Sequence, residues 1–104
     1  MMGLKFSEKR CFFVHTQRYL ISGRVQGVGF RWTAKQIADR LGVTGTVQNL
    51  GTGQVAITAS GATAALANFR RHLQHPQLSP WIKVVAFDVT DLPFHRFADF
   101  SIII

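Results

Sequence analysis

The chain has 104 residues, 47% hydrophobic and 16% charged, which suits one domain and excludes a disordered polyampholyte. No apolar run approaches the roughly 18 residues of a membrane span, and a single cysteine, Cys11, excludes an internal disulfide and fits a reducing cytoplasm. Lys and Arg number 12 against 5 Asp and Glu, a net charge of +7 that suits an anionic partner: nucleic acid, anionic lipid or a phosphorylated small molecule.

Residues 1–17 read as a flexible basic extension, and 18–104 as the folded domain. Lys5, Lys9 and Arg10 stand there against Glu8, with no sustained period. The apolar run Cys11–Val14 is shorter than the about 7–15 residues of an export signal. Phe12, Phe13 and Val14 are candidates for attachment to the body.

Arg18–Arg24 reads as a strand, with Tyr19, Ile21 and Gly23 on one face. Val25–Gly29 is a glycine-rich loop. From Phe30 the period becomes helical: Phe30, Ala34, Ile37, Ala38 and Leu41 fall on one face. Gly42 is placed to end that helix in the left-handed conformation. Val43–Asn49 and Gln54–Ser60 read as a hairpin, turning through Asn49–Gly53. A second helix is expected from about Thr63 to Gln74, with Leu66, Phe69 and Leu73 inward and Pro76 marking its end. Ile82–Thr90 reads as a strand with Val85, Phe87 and Val89 on one side. Asp91–Phe97 is a loop, and Asp99–Ile104 a short last strand.

The order is β-α-β-β-α-β plus a short C-terminal strand. That predicts a ferredoxin-like split βαβ sandwich of α+β class, an antiparallel sheet with two helices on one face. Many unrelated activities use this scaffold, so function must be argued from a site.

The segment Gly23-Arg24-Val25-Gln26-Gly27-Val28-Gly29-Phe30-Arg31 joins strand to helix. Glycines let backbone N–H groups converge on one centre, and a helix start adds its positive dipole end. Together they suit phosphate. Arg31 can close over it as a bidentate fork. The loop lacks the Gly-Lys-Ser/Thr ending of a nucleotide loop. Val25 stands where a cysteinyl-phosphate enzyme would need its nucleophile.

This segment resembles the first signature of the acylphosphatase family. Leu41-Gly42-Val43-Thr44-Gly45-Thr46-Val47-Gln48-Asn49 resembles the second. Asn49–Val55 follows the family's Asn-x-x-x-Gly-x-Val pattern, and the likeness runs from about Arg18 to Ile104. The resemblance implies hydrolysis of acyl phosphates to carboxylate and inorganic phosphate by in-line attack of a positioned water. Arg31 matches the family's catalytic arginine and Asn49 the asparagine that orients the water. The backbone amides of Gln26, Gly27, Val28, Gly29 and Phe30 match the phosphate-binding loop. Thr46, Thr52, Ala56, His75-Pro76 and Trp81 depart from the family pattern. They bear on hairpin stability, substrate access and rate rather than on the reaction class.

No metal and no cofactor are expected, since His15, His72, His75 and His95 show no ligand spacing with Cys, Asp or Glu. Expected partners are a small acyl phosphate and inorganic phosphate, as product and competitive inhibitor. No membrane contact is expected, and the protein is expected to be monomeric and cytoplasmic. Trp32 and Trp81 read as packing or pocket-rim residues. The alternative is a basic binding module without catalysis, taking single-stranded RNA or a protein. Base stacking needs aromatics on the sheet, and Gln54–Ser60 contains none.

Overall fold

The computed structural model describes residues 13–75 and 79–104. In chain order these form β1 (Val14–Arg24), α1 (Phe30–Leu41), β2 (Thr44–Asn49), β3 (Val55–Ala62), α2 (Thr63–Gln74), β4 (Lys83–Leu92) and β5 (Phe100–Ile103). The sheet order is β4-β1-β3-β2-β5. The pairs β1–β3, β1–β4 and β2–β3 are antiparallel, as expected of the split βαβ arrangement. The last strand, β5, lies parallel to β2.

Both helices follow their apolar period. Phe30, Ala34, Ile37 and Ala38 of α1 are buried, as are Leu66, Phe69 and Leu73 of α2. They cover the sheet face that carries Tyr19, Ile21, Val47, Val55, Ile57 and Ala59. Each large apolar side chain removed from water there contributes about 1.5–3 kcal/mol. Phe69 joins the layers, its ring 6.1 Å from Tyr19 and 5.7 Å from Phe100. Gly42 ends α1 at φ 74°, the left-handed cap expected of it. The expected stop at Pro76 lies outside the described residues, as does Cys11.

Two strand readings need correction. The first strand starts at Val14, not Arg18, so residues 14–17 of the expected extension belong to the sheet, paired with β3 from Val14↔Ala62 onward. Thr16 is buried on the face opposite the helices. Its hydroxyl meets Ser60 Oγ at 2.6 Å and accepts the His95 N–H at 2.7 Å, while Ser60 Oγ donates to the His95 carbonyl at 2.6 Å. The segment between β4 and β5, which lie on opposite edges, thus crosses the open face over this pair.

The second correction concerns β4. Its register against β1 shifts between Ser22 and Gly23, where Ser22 pairs with Ala86 and Gly23 with Val84. Val85 is the extra residue, a β-bulge that breaks the alternation. Val84 and Phe87 therefore pack against the core, whereas Val85 is exposed; Val89, paired with Tyr19, keeps the face of Phe87 but is exposed on this edge strand.

Burial pushes the Tyr19 phenol above its ordinary pKa of 10.0, and Arg70 partly opposes the shift. The hydroxyl donates to Gln17 Oε1 at 2.9 Å, and Arg70 Nη1 donates to the same oxygen at 2.7 Å. A raised native pKa means that the folded state holds its proton longer than the unfolded state. This contribution is present in full below the unfolded tyrosine pKa and is lost as pH rises through the native one. Denaturation midpoints are expected to fall in that alkaline window, and to fall less in Tyr19→Phe. Equal alkaline losses in both proteins would remove Tyr19 as the cause.

Candidate active site

β1 and β2 run parallel with β3 between them, so the segments that follow both strands emerge at one end of the sheet. The first is the loop Val25–Gly29. Val25 and Phe30 bury their side chains and clamp its two ends. Between them, Gly27 and Gly29 adopt φ 74° and 80°, in the left-handed region. Alternating such residues with ordinary ones turns successive N–H groups toward one concavity.

Gly29 is also the N-cap of α1, where no side chain caps the helix and no acidic residue stands in the first turn. The positive end of the helix dipole therefore faces the loop unneutralised by its own sequence. Thr33 fixes this start, its N–H and hydroxyl both donating to the Gly29 carbonyl, at 3.0 and 2.9 Å.

Gln26 has a second part that the sequence reading missed. Its side-chain Nε2 donates to the carbonyls of Leu50 and Gln54, at 2.8 Å each. These residues belong to the hairpin turn after Asn49, so Gln26 fastens the loop to the hairpin. Gln54 Nε2 adds a tie to Ser22 Oγ at 2.9 Å. Only the folded topology brings positions 26, 50 and 54 together.

Asn49 is the last residue of β2 and pairs with Val55 across the hairpin. Its Oδ1 is buried and has no hydrogen-bond partner among the described residues. An acceptor buried without a donor costs about 1–3 kcal/mol. Packing alone does not explain it.

Arg31 is the second residue of α1 and lines a cavity of about 170 Å³ with Val25, Gly27, Gly29, Phe30, Trp32 and Ile102. The only salt bridge among the described residues joins Lys35 to Asp39, so no carboxylate there neutralises Arg31. A larger cavity, about 270 Å³, lies at the opposite end of β1, against His15, Gln17, Thr63, Arg70 and Asp91. Its polar groups satisfy one another: Arg70 donates to Gln17, Gln17 to Asp91 at 3.0 Å, and His15 Nε2 lies 2.8 Å from Thr63 Oγ1. It has no orphaned group like Asn49 Oδ1. No group of three His, Cys, Asp or Glu residues suited to a metal occurs among the described residues. No helix among them is long and apolar enough to cross a membrane.

A family model described as Acylphosphatase matches residues 17–102. The chain belongs to the acylphosphatase family. An acylphosphatase of Ligilactobacillus salivarius is 40% identical over 85 residues, covering 82% of this chain and 93% of that protein. The crystal structure of acylphosphatase from Bacillus subtilis superposes with a TM-score of 0.81 at 35% identity, covering 88% of this chain and 99% of that one. An acylphosphatase structure from Coxiella burnetii gives 0.77 at 28% identity, covering 91% and 95%.

One departure from the acylphosphatase pattern has a visible local use. Thr52 Oγ1 donates to Gln54 Oε1 at 2.9 Å within the hairpin turn. Gln54 is the same residue that ties the hairpin to Ser22 and, through its carbonyl, to Gln26. Trp81 is exposed.

Proposed function

We propose that the protein hydrolyses acyl phosphates to a carboxylate and inorganic phosphate, with Arg31, Asn49 and the loop amides as the working groups. The observation that carries this reading is the unpartnered, buried Asn49 Oδ1, at the same end of the sheet as an anion-suited loop and an arginine without a carboxylate partner among the described residues. The amides of Gln26–Phe30 and the Arg31 fork hold the phosphoryl oxygens. The Asn49 side-chain amide orients a water and aims its oxygen at phosphorus.

The water oxygen then bonds to phosphorus as the bond from phosphorus to the acyl oxygen breaks. The electron pair of that bond leaves with the carboxylate. An amide is too weak a base to take the water's proton, so a phosphoryl oxygen takes it. The carboxylate is a good leaving group, and positioning with charge stabilisation supplies the catalysis. Oriented amides and one guanidinium bring the required positive charge, so no divalent ion is needed.

The test is an assay of purified protein on acetyl and benzoyl phosphate with a chelator present. Hydrolysis is expected, with inorganic phosphate inhibiting competitively. No hydrolysis of either compound, or activity only after a divalent ion is restored, would overturn the proposal.

A further inference from the structure

The backbone ladders on the two sides of β3 end at one row, where Val55 pairs with Ile21 of β1 and with Asn49 of β2. Beyond that row β1 runs on through Arg24 into the loop Val25–Gly29, while Asn49 leads into the hairpin turn. The two segments that must act on one phosphate thus leave the sheet past the end of the ladders that register them. Gln54, the residue before Val55, stands between them. Its carbonyl accepts the Leu50 N–H and Gln26 Nε2, each at 2.8 Å. Its side chain also reaches both ways. Oε1 accepts the Thr52 hydroxyl at 2.9 Å within the turn, and Nε2 donates to Ser22 Oγ at 2.9 Å, on β1 just ahead of the loop. One amide supplies both the acceptor and the donor, so each bond fixes the geometry of the other.

We propose that Gln54 is a positioning residue for hydrolysis: its side chain, bonded to Ser22 and Thr52, sets the spacing between the phosphate-holding loop and the asparagine that aims the water. The inference rests on the hydrolase reading above. In-line attack needs the water oxygen and phosphorus aligned near contact, and a misplacement of about 1 Å can cost about 10²-fold. The loop grips the anion by its own means: the left-handed Gly27 and Gly29, the buried ends Val25 and Phe30, and the start of α1. Loosening the Gln54 clasp leaves that grip in place. It disturbs the alignment of the loop with Asn49, on which the chemical step depends and anion binding does not.

The test is a double-mutant cycle in kcat for benzoyl phosphate, built from Gln54→Met, which keeps the side-chain length without either bond, and Ser22→Ala. Rates are counted per folded molecule, well below each melting temperature. Gln54→Met is expected to lower kcat about 10-fold and Ser22→Ala about 5-fold. The loss stops short of a full misplacement because the Gln26 bonds end on backbone carbonyls and persist. The double variant is expected to fall no further than Gln54→Met alone, whereas independent sites would multiply to about 50-fold. Inorganic phosphate should inhibit every variant within about twofold of wild type, and Ser22→Thr, which keeps the hydroxyl, should restore the rate. A kcat within about twofold of wild type in Gln54→Met, multiplied losses in the double variant, or phosphate inhibition that weakens in step with kcat overturns the positioning role and leaves the hydrolase reading intact. If Gln54→Met does not fold, Ser22→Ala against Ser22→Thr decides alone, and equal rates overturn the proposal. A wild-type protein that hydrolyses neither acetyl nor benzoyl phosphate overturns the hydrolase reading, and the positioning role with it.

Discussion

Arg31→Gln is expected to lower kcat/KM by about 10³-fold, the upper range for loss of one donor to a developing anion. Inorganic phosphate should weaken as a competitive inhibitor in the same variant. Both effects follow from one group, because a guanidinium that holds phosphoryl oxygens does so in ground and transition states alike. Glutamine keeps similar length but has neither the charge nor the fork of donors. Arg31→Lys restores charge without bidentate geometry and should recover only part of the loss. The replacement breaks no salt bridge among the described residues, since none involves Arg31. Steady-state kinetics with phosphate inhibition decides the matter. An unchanged inhibition constant for phosphate would remove Arg31 from the binding of the anion.

Asn49→Ala should fail differently. The aimed water is lost, so kcat is expected to fall by about 10²-fold, the cost of a mispositioned reactant. Phosphate inhibition should stay near the wild-type value, because Asn49 acts on the water rather than on the anion. The stability change separates this role from a turn role. Asn49 Oδ1 is buried without a partner among the described residues, and deleting such an atom removes a desolvation cost of about 1–3 kcal/mol. The variant is therefore expected to melt at or above the wild-type temperature while losing activity. Wild-type kcat, or a lowered melting temperature, would return Asn49 to an ordinary hairpin residue.

Legibility varied along the chain for physical reasons. Both helices could be bounded from sequence because a buried helix face repeats locally, as Phe30-Ala34-Ile37 and Leu66-Phe69-Leu73 do. The start of β1 was hidden because Thr16 is buried through hydrogen bonds to Ser60 and His95, distant in sequence and silent in hydropathy. The outward face of Val85 is not legible in the alternation, because a bulge depends on the partner strand. At the site, the glycine spacing and the Arg31 position were readable in a single segment. The tie from Gln26 to the hairpin was not, nor was the burial of Asn49 Oδ1. Both depend on backbone carbonyls and packing that exist only after the strands pair.

The bulge at Val85 also bears on how the molecule behaves in a crowd. β4 is an edge of the sheet, ten residues long, and pairs only with β1 among the described strands. It exposes Val85 and Val89. A regular edge of that length and apolar content is a template on which strands from other copies can add. An extra residue sharpens the local twist and interrupts the spacing that an added strand would need. Lys83, Asp88 and Asp91 place charges along the same edge, a further deterrent to stacking. The irregularity that breaks the alternation of β4 thus guards the longest open edge of the sheet against aggregation.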